Sequence, residues 1–458
     1  MFGSAVTRDF LAAETQALLT RIDGLRAFVE QDTMVPAALL LPRALVGIDA
    51  LLATERSRLR QLAEAYLVWL QGIGAHASPA EQQRRFVLLR LRLNDHLSQL
   101  DLFSEVIVQR SEMEIGAWLS GMDVAAADAL CLNDGRLGDA VPIICYLARG
   151  PGAAIRRAHT RLPGGVQNPV AIVRVPRERM AGHGIASSLF HEVGHQGAAL
   201  LDLLPSLRAE LADVVRESGV GERFAWKCWQ RWVSEIVADF WSVAKLGIGS
   251  TLGLMAVVSL PRPFVFRINL TDPHPFPWIR VLISAAFGQH LYPDQQWQDI
   301  GRIWCHLYPL ENAAPNAQQI VRRLLPTLSD LAARIAGHRP PALDGVNLSE
   351  ALAHPSRRPV ELRRLRGEAA SGKDLAMISP VLRFALLGQA RWDRRVSAAD
   401  ENREVRSMLT TWARESTLRM AEAAGRQRIT STGQVIPHTS GRTVNLGDHA
   451  WTEPVSKG

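Results

Sequence analysis

The feature that most constrains this chain is His191-Glu192-Val193-Gly194-His195, set inside the apolar stretch 185–204. Residues four apart share one face of a helix, so His191 and His195 can turn both imidazoles toward one metal ion. Glu192 then lies beside that face, placed to take a proton from a water bound to the metal. A catalytic zinc ion needs a third protein ligand and an open fourth position. The candidate is Glu235, four residues before Asp239 on a second expected helix at 222–246. A run of prolines, Asp272-Pro273-His274-Pro275, then presents His274 on a stiff loop, with Arg280 shortly after.

Composition excludes several other classes. At 458 residues and 47% hydrophobic, the chain is long enough for two or three domains with sizeable cores. The net charge of +7 is carried almost wholly by Arg, because Lys227, Lys245, Lys373 and Lys457 are the only lysines. Spread over this length, +7 is weak support for nucleic acid, and no nucleic-acid partner is expected. Arg84, Arg85, Arg90 and Arg92 read as the solvated flank of a helix, since no aromatic residues are interleaved with them. The four cysteines are scattered without a CxxC pair, as in a reducing compartment. Arg8, Asp9 and Glu14 interrupt the apolar periodicity of the N-terminus, which therefore lacks a secretory signal core. The uncharged run 246–261 is too short for a spanning helix and reads as a buried one. A cytoplasmic protein is the expectation, with a form that rests 246–261 on a lipid surface as the alternative.

Along the chain, helical periodicity dominates residues 1–120, 301–428 and much of the part between. Loop signals from Gly121 onward separate short β-rich runs at 141–147 and 169–175, and 264–270 is a further strand candidate. The second run lies just upstream of the histidine helix. Its edge is open to two readings, an ordinary core strand or a rail for an extended peptide. Trp226, Trp229, Trp232, Ile236, Phe240 and Trp241 form an apolar band expected to be core. Small residues at Gly194, Gly197 and Ala198 invite a close helix approach. The expected fold is α+β and predominantly α-helical. It comprises an N-terminal helical region (1–120), a catalytic domain with a small sheet (121–300), a C-terminal helical region (301–428) and an extended tail (429–458).

Taken together, His191, Glu192 and His195 followed by Glu235-Ile236-Val237-Ala238-Asp239 resemble the gluzincin zinc metallopeptidases, whose pattern is HExxH followed by ExxxD. The Ala in ExxAD and the later Asp272-Pro273-His274-Pro275 with Arg280 are similar to the form found in relatives of the prenyl-protein processing peptidases. The resemblance covers about residues 170–290, and the His195–Glu235 spacing is longer than in short-spaced members. It implies a zincin-like domain in which His191, His195 and Glu235 bind zinc and Glu192 is the general base. Asp239 would accept the outer N–H of a zinc histidine, a role for which a plain surface carboxylate is the rival reading. His274 would stabilise an oxyanion or simply pack its loop. Arg280 would bind a substrate carboxylate or, in the preferred structural role, pair with Asp272. His183 could reach the cleft without being a ligand. The implied substrate is a peptide or a specific protein. A weakly catalytic binding module and a hydrolase of non-peptide amides or esters are the other readings.

Overall fold

The computed structural model describes residues 2–25, 34–150, 152–180, 182, 184–370 and 378–432. His183 and the chain beyond 432 fall outside them. Among the described residues the protein is mostly helical, with one small three-stranded sheet. By its contacts the chain divides into Met1–Thr417 and Leu418–Gly458. The divisions expected near residues 120 and 300 both fall inside the first unit.

That unit begins with three long helices, α1 (Phe2–Gly24), α2 (Pro42–Gln71) and α3 (Pro79–Val108), packed on one another. Pro42 and Pro79 sit in the first turns of α2 and α3, where no N–H is needed, and the Ser78 hydroxyl caps α3 by accepting from Glu81 N–H. Arg84, Arg85, Arg90 and Arg92 face solvent as expected.

A buried helix, α4 (Met113–Leu130), leads to the sheet, made of β1 (Ile143–Ala148), β2 (Ala154–Arg156) and β3 (Ala171–Pro176). The strand order is β1-β3-β2, with β3 parallel to β1 and antiparallel to β2. β3 is therefore central, and its reading as a peptide-binding edge is corrected: both of its sides are already hydrogen-bonded. The two outer edges of the sheet belong to β1 and β2. The strand expected at 264–270 is also absent. Pro261 caps a helical turn, Arg262–Val265, that has Pro263 in its first positions, and the N–H groups of Val265, Phe266 and Arg267 bond to carbonyls three or four residues back.

The helices that matter for the site follow β3. They are α5 (Gly184–Leu200), α6 (Leu203–Glu217), α7 (Val220–Leu246) and α8 (Ile248–Val258). After the short turn α9 (Arg262–Val265) comes α10 (Pro277–Leu291), which packs against α7 and α8. α8 occupies most of the uncharged run 246–261 and is largely buried. Among the described residues no helix is long and apolar enough to cross a membrane. One apolar core extends from Trp118 to Trp412 and contains the tryptophan band of α7. Trp229, Trp232 and Trp241 are fully buried, and their indole N–H groups donate to Thr327 Oγ1, Asp272 O and Ala129 O.

The sheet is tied to the N-terminal helices by an enclosed ion pair. Arg110, fully buried, lies 2.8 Å from Asp123 and donates to the carbonyls of Ala38 and Cys145. The other Asp123 oxygen accepts from Cys145 N–H, and burial pushes this carboxyl up to about 6 despite the guanidinium beside it. Asp123→Ala leaves a buried guanidinium without its counter-charge and should cost about 3–5 kcal/mol, read as a clear fall in the thermal midpoint. An unchanged midpoint would show that the pair does not organise this junction.

Candidate metal centre

α5 and α7 cross at very short range, and glycine makes this possible. A Cβ on Gly194 would lie 2.9 Å from Ala238 Cα and Trp241 Cβ, and one on Gly197 would run into the Trp241 ring. The expectation of a close helix approach at these positions is met. With the two backbones this near, His191 and His195 on α5 face Glu235 and Asp239 on α7 across a narrow gap.

Glu235 stands between the two histidines. Its Oε2 is 3.2 Å from His191 Nε2 and its Oε1 is 3.4 Å from His195 Nε2. The imidazoles are nearly perpendicular, with centroids 4.8 Å apart. One donor atom from each of the three residues lies within 4.8 Å of the others, so the group could hold a metal ion. The spacing fits that use. Two atoms each about 2.0–2.1 Å from one tetrahedral ion lie about 3.3–3.4 Å apart, close to the distance from each histidine nitrogen to the Glu235 oxygen that it faces, Oε2 for His191 and Oε1 for His195. The donor chemistry, two imidazole nitrogens and a carboxylate, suits a divalent transition metal.

Behind these three lies a second layer of charge. His191 Nδ1 is 2.8 Å from Asp239 Oδ1, so Asp239 is a buried partner of this imidazole. Arg280 does not pair with Asp272, and that reading is corrected. Its Nε and Nη2 donate to the two Asp239 oxygens at 2.7 and 2.9 Å, in the bidentate fork that guanidinium geometry favours. Arg280 Nη2 also comes within 3.3 Å of each His191 ring nitrogen and 3.8 Å of Glu235 Oε2. It lines the cavity beside the three donor residues, with its two strongest hydrogen bonds made to Asp239. Asp272 instead accepts from the backbone N–H of His274 and lies 2.8 Å from His274 Nδ1. That leaves His274 Nε2 at the rim, 3.6 Å from Glu235 Oε2, on a half-exposed side chain.

The electrostatics follow from burial against these partners. Burial disfavours a charged His191, yet Asp239 and Glu235 outweigh it and lift the imidazole to about 9. Burial likewise pushes Glu235 up, but both histidines hold it far below the usual carboxylate range. Asp239, opposed by the same desolvation, is kept down at about 2 by Arg280 and His191. Each charge is thus answered by a neighbour, which is the condition for burying it.

The centre opens into a cavity of about 480 Å3. Glu192, largely buried, lines it beside the three donor residues and His274. Two contributors escape a reading of the sequence alone. Ser187 and Ser188 precede His191 by four and three residues and so share its face, a signal that helical spacing carries. The Ser187 hydroxyl donates to Ser250 O, and Ser250 donates in turn to Ser242, which closes the inner wall with hydroxyls. The other contributor is β2, three residues long and set next to Gly150-Pro151-Gly152, so no alternation reveals it. Ala154 and Ile155 of this edge strand line the cavity together with Arg157. Gln196 Oε1 accepts from Ala158 N–H and fixes the segment after β2 to α5.

No protein-family model matches this chain, and no curated protein or solved structure is significantly similar to it.

If Glu235 is a ligand and Asp239 only orients one, titration with zinc or cobalt(II) should separate them. Asp239→Ala should weaken binding about 10–100-fold, the usual effect of losing a carboxylate behind a ligating histidine, and Glu235→Ala should weaken it further. The opposite order would place the third ligand elsewhere.

Proposed function

We propose that this protein is a zinc-dependent hydrolase that cleaves peptide bonds in a peptide or protein substrate. The observation that carries the reading is the presence of Glu192 in the same cavity as the His191–His195–Glu235 group. A binding site for metal alone has no use for a second, uncoordinated carboxylate at that place.

A zinc ion held by His191, His195 and Glu235 would supply Lewis acidity, polarising the scissile carbonyl and lowering the pKa of a coordinated water toward ~7. The chain's own groups do the rest. Glu192 accepts a proton from the attacking water as the new C–O bond forms. It then delivers that proton to the amide nitrogen as the C–N bond breaks, so protons balance between water and leaving amine. Asp239, held by Arg280, takes the Nδ1–H of His191 and leaves Nε2 free to ligate. His274 gives Nδ1–H to Asp272, so its Nε2 can donate to a developing oxyanion only when the ring is an imidazolium. The free edge of β2 supports the choice of a peptide as substrate: its unpaired backbone groups border the cavity and suit an extended strand laid alongside.

Glu192→Gln should retain the metal and lose about 10²–10⁴-fold in turnover, the usual worth of a positioned general base. Comparison of protein termini in cells expressing wild type and this variant reads the activity directly, whatever the substrate. New termini should appear with wild type alone; an identical set with both would refute the proposal.

A further inference from the structure

Beside the metal cavity lies a second cleft of about 700 Å3, bounded by Arg208, Lys227, Arg231, Trp232, Leu270 and Thr271. The two adjoin on three elements at once. On α6, Leu204 lines the metal cavity and Arg208, one turn on, lines the cleft. On α7, Ser234 and Glu235 line the cavity and Arg231, one turn back, lines the cleft. On the loop before α10, His274 belongs to the cavity and Thr271 to the cleft. Trp232 fixes this shared wall by donating its indole N–H to Asp272 O.

The cleft is positively charged. Arg208, Lys227 and Arg231 are exposed, and none forms an ion pair with an acidic side chain among the described residues. A fourth cation, Arg323, lies 5.4 Å over the ring of Phe224, another residue of the cleft wall. The nearest carboxylate in sequence to Thr271, that of Asp272, is engaged by His274.

Lys227, Arg231 and Glu235 fall at successive four-residue steps, so one helix face leads from the metal ligand along the cations. At 1.5 Å per residue, Arg231 and Lys227 lie about 6 and 12 Å from Glu235 along the helix axis. An extended chain advances about 3.3 Å per residue, so those distances correspond to roughly two and four substrate residues.

We propose that this cleft selects substrates with acidic residues about two to four positions from the scissile bond, on one side of it. The inference rests on the peptidase reading and adds the substrate class. Charge complementarity across an exposed cleft acts on recognition and encounter rate and weakens with salt.

The test uses full-length zinc-loaded protein, labelled Ala-Glu and Ala-Gln repeat peptides, and the double variant Lys227→Glu/Arg231→Glu. Both substituted residues are exposed, and an unchanged thermal midpoint verifies the fold. Wild type should bind the Glu peptide about threefold to tenfold more tightly than the Gln peptide at low salt, and the variant should lose the preference. Equal binding by wild type, or a preference kept by the variant, overturns the inference. In a proteome-derived peptide library, cleavage sites should be enriched in Asp and Glu at the stated positions, and the enrichment should vanish in the variant. Cleavage without enrichment overturns the cleft's role and leaves the peptidase reading standing. Acid-selective binding that the variant abolishes, with no peptide cleaved, supports acidic recognition by the cleft and removes the peptidase reading.

Discussion

The contact on which the site depends is the close crossing of α5 and α7, where two glycines stand in place of side chains. Gly194 and Gly197 each cost about 1 kcal/mol of helix stability relative to alanine. In return the α5 backbone nests against Ala238 and the Trp241 ring at a distance no Cβ would allow. At an ordinary helix separation of about 8–10 Å, short side chains such as histidine and glutamate would still meet, but with little tolerance for the 3.2–3.4 Å donor spacing found here. Trp241 packs directly at the crossing, and the indole N–H groups of Trp229, Trp232 and Trp241 all have partners, so the crossing is set by packing as well as by proximity.

Charge is then arranged in layers around that crossing. Isolated carboxylates at this depth would be neutralised by protonation, whereas Glu235 and Asp239 are both held ionised by cationic neighbours. Arg280 is the outermost member. By gripping both oxygens of Asp239 it fixes the carboxylate that in turn orients His191. Arg280 comes from α10 and His274 from the loop before it, so one segment supplies both the guanidinium beside the donor residues and part of the cavity rim. Asp272 shapes that loop by capturing His274 through its backbone and its ring.

Much of this is legible in the sequence, and for reasons that can be named. Spacing of four residues on a long helix determines which side chains share a face, so His191 pairs with His195 and Glu235 with Asp239 on periodicity alone. The glycines of α5 and the tryptophans of α7 likewise announce a tight, buried crossing. Partner choice across loops is not legible: Arg280 is eight residues from Asp272 and forty-one from Asp239, and only the fold decides that it reaches the latter. Strand order is hidden for a similar reason. β2 has three residues, too few for alternation to show, and its insertion between β3 and solvent is what makes β3 central. At 264–270 the apolar run suggests a strand, but the prolines before it consign the backbone to local turns.

The centre exists only if one metal ion is gripped jointly by α5 and α7. Zinc K-edge absorption on the purified, zinc-reconstituted protein examines the coordination shell directly. The expected result is about one zinc per chain with two imidazole nitrogens and a carboxylate oxygen at roughly 2.0–2.2 Å, and loss of the carboxylate contribution in Glu235→Ala. A shell without histidine, or one unchanged by that substitution, would contradict the joint grip.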